Sequence, residues 1–205
     1  MVGKKLTRRM FMATATIPKP AIKKMTFTIV GDTPYISHNW SEKATRMMEE
    51  KQQKKARQAK EARNPEEDFK SSIYYTEDGK YGVPAIHFKR AAVDAVRFID
   101  GLRMTEARGA FFAMGDILPL RCSDPHMRTD HVRNSSGVAD LRYRAQFDTW
   151  EVDITVRFNS SFITEEQIIN LFDMAGFAIG LGERRPAQKV SDQFGMFHIK
   201  QEGEK

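Results

Sequence analysis

The chain has 205 residues, 40% of them apolar, and its 33 Lys and Arg against 27 Asp and Glu give a net charge of +6. That length suits one elaborated domain or two small ones, and the basic balance favours a polyanionic partner whose counterions Lys and Arg displace. The single cysteine, Cys122, excludes an internal disulfide and points to a reducing, cytoplasmic compartment, and no apolar run nears the ~20 residues of a membrane span.

Residues 1–20 read as a basic, poorly ordered arm. Its Thr7-Arg8-Arg9-Met10-Phe11-Met12 looks like a twin-arginine export signal, but Pro18, Lys19, Pro20, Lys23 and Lys24 interrupt the apolar stretch that such a signal needs. Ile22 to Val30 alternates apolar residues with Lys and Thr, as a half-buried strand does, and Gly31-Asp32-Thr33-Pro34 ends it. From Ser41 to Arg63 the chain is rich in helix formers and free of Gly and Pro, which predicts a polar helix of ~34 Å. Its thin stripe of Met47, Met48, Ala56 and Ala59 excludes a core role, and Asn64-Pro65 is expected to stop it.

Ile73 to Val83 reads as a hairpin around an Asp78-Gly79 turn. Pro84 opens an amphipathic helix from Ala85 to Ile99, with Ile86, Ala92, Val93, Val96 and Ile99 on the buried face. A second strand is expected from Phe111 to Leu120. Residues 121–144 are rich in Arg, His and Asp without apolar period and read as a long loop. Glu151 to Phe158 alternates strictly, the cleanest strand in the chain.

Thr164 with Gln167 three residues on is a capping box, stapled by Ile163 and Ile168. Leu171, Phe172 and Ala175 supply that helix's buried face, Gly176 is expected to end it, and Phe194 to Lys200 makes a last strand. The order strand, helix, strand, strand, helix, strand is an α+β, ferredoxin-like (RRM-like) βαββαβ plan with an antiparallel sheet. It occupies residues 21–200 as one domain. Insertions fall at 38–83 (polar helix and hairpin) and 121–149 (a thumb-like loop between the second and third strands), and 201–205 is a tail.

Trp150 and the strand after it, the capped helix, AGFAIGLGERRP (Ala175 to Pro186) and the closing Phe194-Gly195-Met196-Phe197 resemble the RAMP superfamily. Within it they look like the backbone subunits of CRISPR surveillance complexes. TFTIVGDTPYISHNW resembles that family's first strand and turn, and VPAIHFKRAAVDAV the opening of its first helix. Phage proteins share a similar layout. The resemblance implies RNA or single-stranded DNA held across one sheet face and by loops, and a basic thumb that reaches a neighbouring subunit. Arg121, Arg128, Arg133, Arg142 and Arg144 fall in the thumb's slot. The chain departs from the family in its shorter length and polar helix 41–63, and it lacks the aromatic signature of RRM sheets.

Gly180-Leu181-Gly182-Glu183-Arg184-Arg185-Pro186 is the strongest local signal. Glycines let backbone N–H groups approach a phosphate and arginines add charge and a planar fork, whereas the competing reading is a plain connection with solvated arginines. Both arginines are expected to be exposed. Lys189, His38 and Lys89 complete the candidate nucleic-acid-binding set; for His38 with Trp40 a core or interface pair competes. Asp124, His126, Asp130 and His131 match no familiar metal spacing, so a mobile basic loop is the better reading, and no cofactor is expected.

P-loop, HExxH and nucleophile-elbow signatures are missing. The sequence therefore reads as a non-enzymatic single-strand binder, RNA ahead of DNA, that assembles with copies of itself. Two alternatives stand: a phage or accessory structural protein that oligomerises without nucleic acid, and a metal-independent RNA endonuclease. The second follows from RAMP relatives that cleave RNA with a His, and it keeps His38 and His198 as acid–base candidates.

Overall fold

The computed structural model describes residues 18–40, 48–50, 52–53, 64–133, 137–201 and 203. The arm expected over 1–20 and the polar helix expected over 41–63 lie outside these residues, save for a few positions. Among the described residues the chain forms an α+β fold with antiparallel sheets.

Strand β1 (Ile22–Gly31) pairs along its length with β10 (Trp150–Asn159), placing Ile29 opposite Val152, Phe27 opposite Ile154 and Met25 opposite Val156. The period-two alternation seen in both sequences puts all six on one face. On β1's other side lies the short β11 (Phe197–Ile199); on β10's other side lie β5 (Phe111–Ala113) and, further along, β7 (Arg121–Cys122). The main sheet thus runs β11-β1-β10-β5, every neighbouring pair antiparallel.

Two helices cover the apolar face. Helix α2 (Ala85–Ala95) buries Phe88, Ala91, Ala92 and Ala95, and α4 (Glu165–Ala178) buries Ile168, Leu171, Phe172 and Ala175. Phe172 meets Phe27 edge-on at 5.1 Å and Phe111 at 6.0 Å, and Phe88 meets Phe197 at 5.7 Å. Aromatic contacts of this geometry add to the area that they bury. The capping box is present: Gln167 N–H donates to Thr164 Oγ1 and Thr164 N–H to Gln167 Oε1, with Ile163 and Ile168 both buried beside it.

Several sequence expectations change. Helix α4 runs through Gly176 to Ala178, and Gly180 (φ +67°) is the left-handed residue. Gly176 is needed for packing, because a Cβ there would collide with the Phe197 carbonyl. Asn64-Pro65 opens a helix, α1 (Pro65–Ser71), with Asn64 Oδ1 accepting from the N–H groups of Glu66 and Glu67. The helix from Ala85 gives way to a 3-10 turn at Val96–Phe98, and Ile86 is exposed while Phe88 fills the core. The sequence reading also missed a third helix, α3 (Met104–Ala110).

The strand expected over Phe111–Leu120 breaks at Gly115 (φ +94°), whose turn sends β6 (Ile117–Pro119) into a second sheet. That sheet is β3 (Tyr74–Tyr75), β4 (Tyr81–Pro84) and β6, and it includes the expected hairpin around Gly79. Residues 121–149 are not a loop. Strands β8 (His126–Arg133) and β9 (Ala139–Phe147) form a ribbon that joins β2 (Tyr35–Ile36) in a third sheet. Apolar period is weak there because arginines and aspartates paired with one another occupy positions that apolar residues usually hold.

The three sheets meet at an aromatic joint. Tyr35 stacks on Phe147 at 5.9 Å and lies 5.7 Å from Trp150, while Tyr81 meets Phe147 at 5.5 Å. The Trp150 indole N–H donates to the Thr33 carbonyl at 2.9 Å. No helix among the described residues is long and apolar enough to cross a membrane.

Candidate nucleic-acid interface

The Gly-rich loop follows α4 and is stitched between β2 and the approach to β11. Leu181 N–H donates to the Gly195 carbonyl at 2.8 Å, Glu183 N–H to Ile36 at 3.0 Å and Gly195 N–H to Pro34 at 2.8 Å. Arg184 N–H donates to Gln188 Oε1 at 2.6 Å. Gly182 sits at φ +69°, and a Cβ there would overlap the Ile36 carbonyl oxygen and the Tyr35 ring. These glycines therefore allow close approach of the protein's own backbone, and the N–H groups of Leu181, Glu183 and Arg184 are already spent within the protein rather than open to a phosphate.

The loop's two arginines have different fates. Arg184, a non-glycine residue at φ +59°, bridges Asp130 of the ribbon at 2.6 Å and Asp192 at 2.6 Å. It is not the exposed side chain expected, because Asp130 is 2% exposed and its charge requires pairing. Arg128 also pairs with Asp130 at 2.9 Å and lies 4.5 Å over the Phe194 ring. Arg185 instead donates to the Gly182 carbonyl at 2.8 Å, and no carboxylate among the described residues pairs with it.

Of the remaining candidates, Arg144 is buried and pairs with Glu183 at 3.4 Å, and burial lowers its pKa. Arg121 bonds Asp153 at 2.6 Å and Glu151 at 3.3 Å on the open face of the main sheet. Arg142 lies 3.7 Å from Asp140, and Arg133 donates to the Gly137 carbonyl at 3.5 Å near the ribbon's tip. The Lys89 ammonium sits 3.7 Å over Phe112, and Lys189 is exposed. The former metal candidates separate, since successive residues put Asp130 and His131 on opposite faces of β8 and Asp130 faces arginines. No group of three or more His, Cys, Asp and Glu suited to a metal ion occurs among the described residues.

His38 Nδ1 is hydrogen-bonded to Glu183 Oε1. Burial would raise the Glu183 carboxyl, but the bond to His38 and the charges of Arg144 and His38 hold it down at about 2. His198, the other acid–base candidate, is on β11 and bonds Asp32 at 2.6 Å. The two histidines are thus held by different carboxylates on different elements.

The contacts assemble a patch that the sequence did not delineate. The Tyr74 hydroxyl donates to the His38 carbonyl at 2.9 Å, and its ring meets His87 edge-on at 5.7 Å. Burial lowers the pKa of His87 to about 4, helped by the charges of Arg90, one turn along α2, and Arg185 from the loop. Among the described residues neither guanidinium has a carboxylate partner. Helical spacing alone would place His87 and Arg90 on one face; only the fold brings Arg185 within electrostatic reach of His87. The result is a His disfavoured from protonation by two cations that lack carboxylate partners among the described residues, one of them in the Gly-rich loop, a charge balance suited to an anion.

No protein-family model matches the chain, and no curated protein does. Among solved structures it is similar to a chain of the type III-B Cmr-beta complex bound to cognate target RNA, at a TM-score of 0.50 and 13% identity. That match covers 88% of this chain and 60% of the other, so this chain spans about three-fifths of its neighbour's length. It is also similar to Cmr6 from Pyrococcus furiosus, at a TM-score of 0.44 and 10% identity over 88% of this chain and 99% of that one. At such identities the likeness to the first concerns the fold.

Proposed function

We propose that the protein binds single-stranded nucleic acid, RNA ahead of DNA, with its phosphates taken up by side chains at the Gly-rich loop, and that copies of the chain assemble along the strand. The observation that carries this reading is that the charges of two guanidiniums without carboxylate partners among the described residues, Arg90 and Arg185, both act on the partly buried His87. A phosphodiester that reaches both would accept their forks of donors and supply the negative charge that no described carboxylate gives them.

The net charge of +6 supports the same partner. So does the strand order β11-β1-β10-β5, which in the four-strand count is fourth, first, third, second, as in a ferredoxin-like βαββαβ domain. The similar chain of the Cmr-beta complex belongs to an assembly bound to target RNA, in line with the RAMP resemblance of the Gly-rich segment. The ribbon β8–β9 is the thumb of this reading, with Arg133 near its tip and Arg142 further down, opposite Asp130, as the cations that would face a neighbour.

Fluorescence anisotropy of a labelled mixed-sequence oligonucleotide tests it. Affinity should fall steeply from low to physiological salt, and the Arg90→Ala/Arg185→Ala variant should reduce the salt slope by roughly two units, about one per lost phosphate contact. An unchanged slope in a folded double variant would remove the phosphates from this loop. Incubating labelled RNA with the protein tests the endonuclease alternative: intact RNA is expected.

A further inference from the structure

We infer that Trp40 is a stacking platform for one unpaired nucleobase, joined through His38, Tyr74 and His87 to the side of the molecule that carries Arg90 and Arg185; the inference rests on the function proposed above. The backbone leading to Trp40 is pinned from both sides. Ser37 N–H donates to the Ala145 carbonyl at 2.9 Å and its hydroxyl to the Ser72 carbonyl at 2.7 Å. Asn39 N–H also reaches the Ser72 carbonyl, at 2.9 Å, and its side-chain amide the Ile73 carbonyl at 3.3 Å.

A segment so tied down usually ends in a buried anchor. Here the indole is 58% exposed. Its ring lies within 15° of parallel to the His38 imidazole, with centroids 6.3 Å apart, and the imidazole is itself fixed by Glu183. One side of the indole thus has a nearly parallel aromatic neighbour, as in an unfinished stack. A pre-ordered, solvent-facing aromatic loses little conformational entropy on binding. Any base offers a π-face, so such a platform tolerates sequence.

Charge selects a base over an apolar protein surface as the occupant. The contacts from Trp40 lead through His38 and Tyr74 to His87, Arg90 and Arg185. Glu183, the carboxylate in this run, is already spent on His38 and Arg144. An aromatic joined by this run to cations without carboxylate partners among the described residues offers stacking and phosphate contact together, which a nucleotide satisfies with both of its halves.

The chain has two tryptophans, and Trp150 is 2% exposed, so a change in emission on binding reports Trp40. The experiment compares a labelled oligonucleotide with one of equal length and charge whose sugars carry no bases. The wild-type chain should bind the base-bearing strand about tenfold more tightly, within the range of one base–aromatic stack, and that strand alone should quench the emission. Trp40→Ala should lower its affinity to that of the abasic strand and leave the abasic affinity unchanged; Trp40→Phe should retain most of the preference.

If neither strand binds at all, the nucleic-acid reading itself is wrong. If both bind, and equally well with or without Trp40, the platform is refuted while the cationic groove stands. A change of oligomeric mass caused by Trp40→Ala without nucleic acid would place the indole in a protein interface and overturn the proposal.

Discussion

Gly182 shows how little room a residue can have. Its φ of +69° already disfavours an L side chain, and a Cβ would run into the Ile36 carbonyl and the Tyr35 ring. Gly182→Ala should therefore cost about 2 kcal/mol or more of stability, measured by urea unfolding, since backbone strain and overlap add. Removing Asp130 should also be costly, because Arg184 and Arg128 would both lose the carboxylate that pairs them. Asp130→Ala is expected to lose about 1–3 kcal/mol, lowering the thermal midpoint. His87 and Glu183 make the molecule sensitive to acid. His87 has a pKa of about 4 against an ordinary 6.5, so between those values the unfolded chain binds a proton that the folded chain refuses, and stability falls as pH drops through that window. Glu183, at about 2 against 4.5, contributes stability that is complete above pH 4.5 and lost as pH falls toward 2. His87→Gln should flatten the upper window and Glu183→Gln the lower one. Urea midpoints measured across pH 3 to 7 check this, and an unaltered upper slope in His87→Gln would assign that window to another group.

At the scale of elements, the ribbon β8–β9 divides at Asp130. Its distal part, with Arg133 and His131, is exposed, whereas the end of β9 contributes Ala145 and Phe147, both 0% exposed, to the core. Replacing residues 131–140 with a short Gly-Ser turn should leave the thermal midpoint within a few degrees. Removing 123–140 takes Asp130 and Arg128 as well, leaves Arg184 with Asp192 alone, and should destabilise the loop that carries Arg185. Circular dichroism melts of the two deletions separate these outcomes, and equal midpoints would mean that the ion pairs contribute nothing. The Thr164 cap of α4 is a milder case. Thr164→Ala should cost about 1 kcal/mol, the usual loss when an N-cap side chain no longer accepts from the first turn.

For the molecule as a whole, charge and topology work together. The open face of the main sheet is partly neutralised, with Arg121 and Lys200 held by Glu151 and Asp153. Lys24 and Arg157 lie opposite one another on the same face and, among the described residues, lack carboxylate partners. A strand that crosses from the Gly-rich loop to this face would meet cations at both ends. Light scattering coupled to size exclusion should therefore show a mass that rises with oligonucleotide length as copies add along the strand. A mass independent of length would contradict assembly along a strand.

Periodicity determined β1, β10 and α4 from the sequence alone, because alternation and a capping box are local signals that tertiary packing here reinforces. The hairpin around Gly79 was legible for the same reason. Composition likewise marked a basic chain, and the GLGERRP segment marked where its interface would be sought. Which arginines meet a described carboxylate was settled only by the fold. Arg184 and Arg185 are neighbours in sequence with equal charge, yet one meets a buried aspartate 54 residues away and the other donates to the Gly182 carbonyl while its charge acts on His87 of helix α2. The ribbon escaped notice because its interior is made partly of paired charges, whose burial depends on partners that no local pattern reveals. Trp40 was visible as a tryptophan after a strand, but its exposure follows from how Ser72 and Ile73 hold the segment before it. Residue type and spacing are properties of the chain, whereas the pairing of a charge and the exposure of a ring are properties of its surroundings, and those exist only once distant segments have packed.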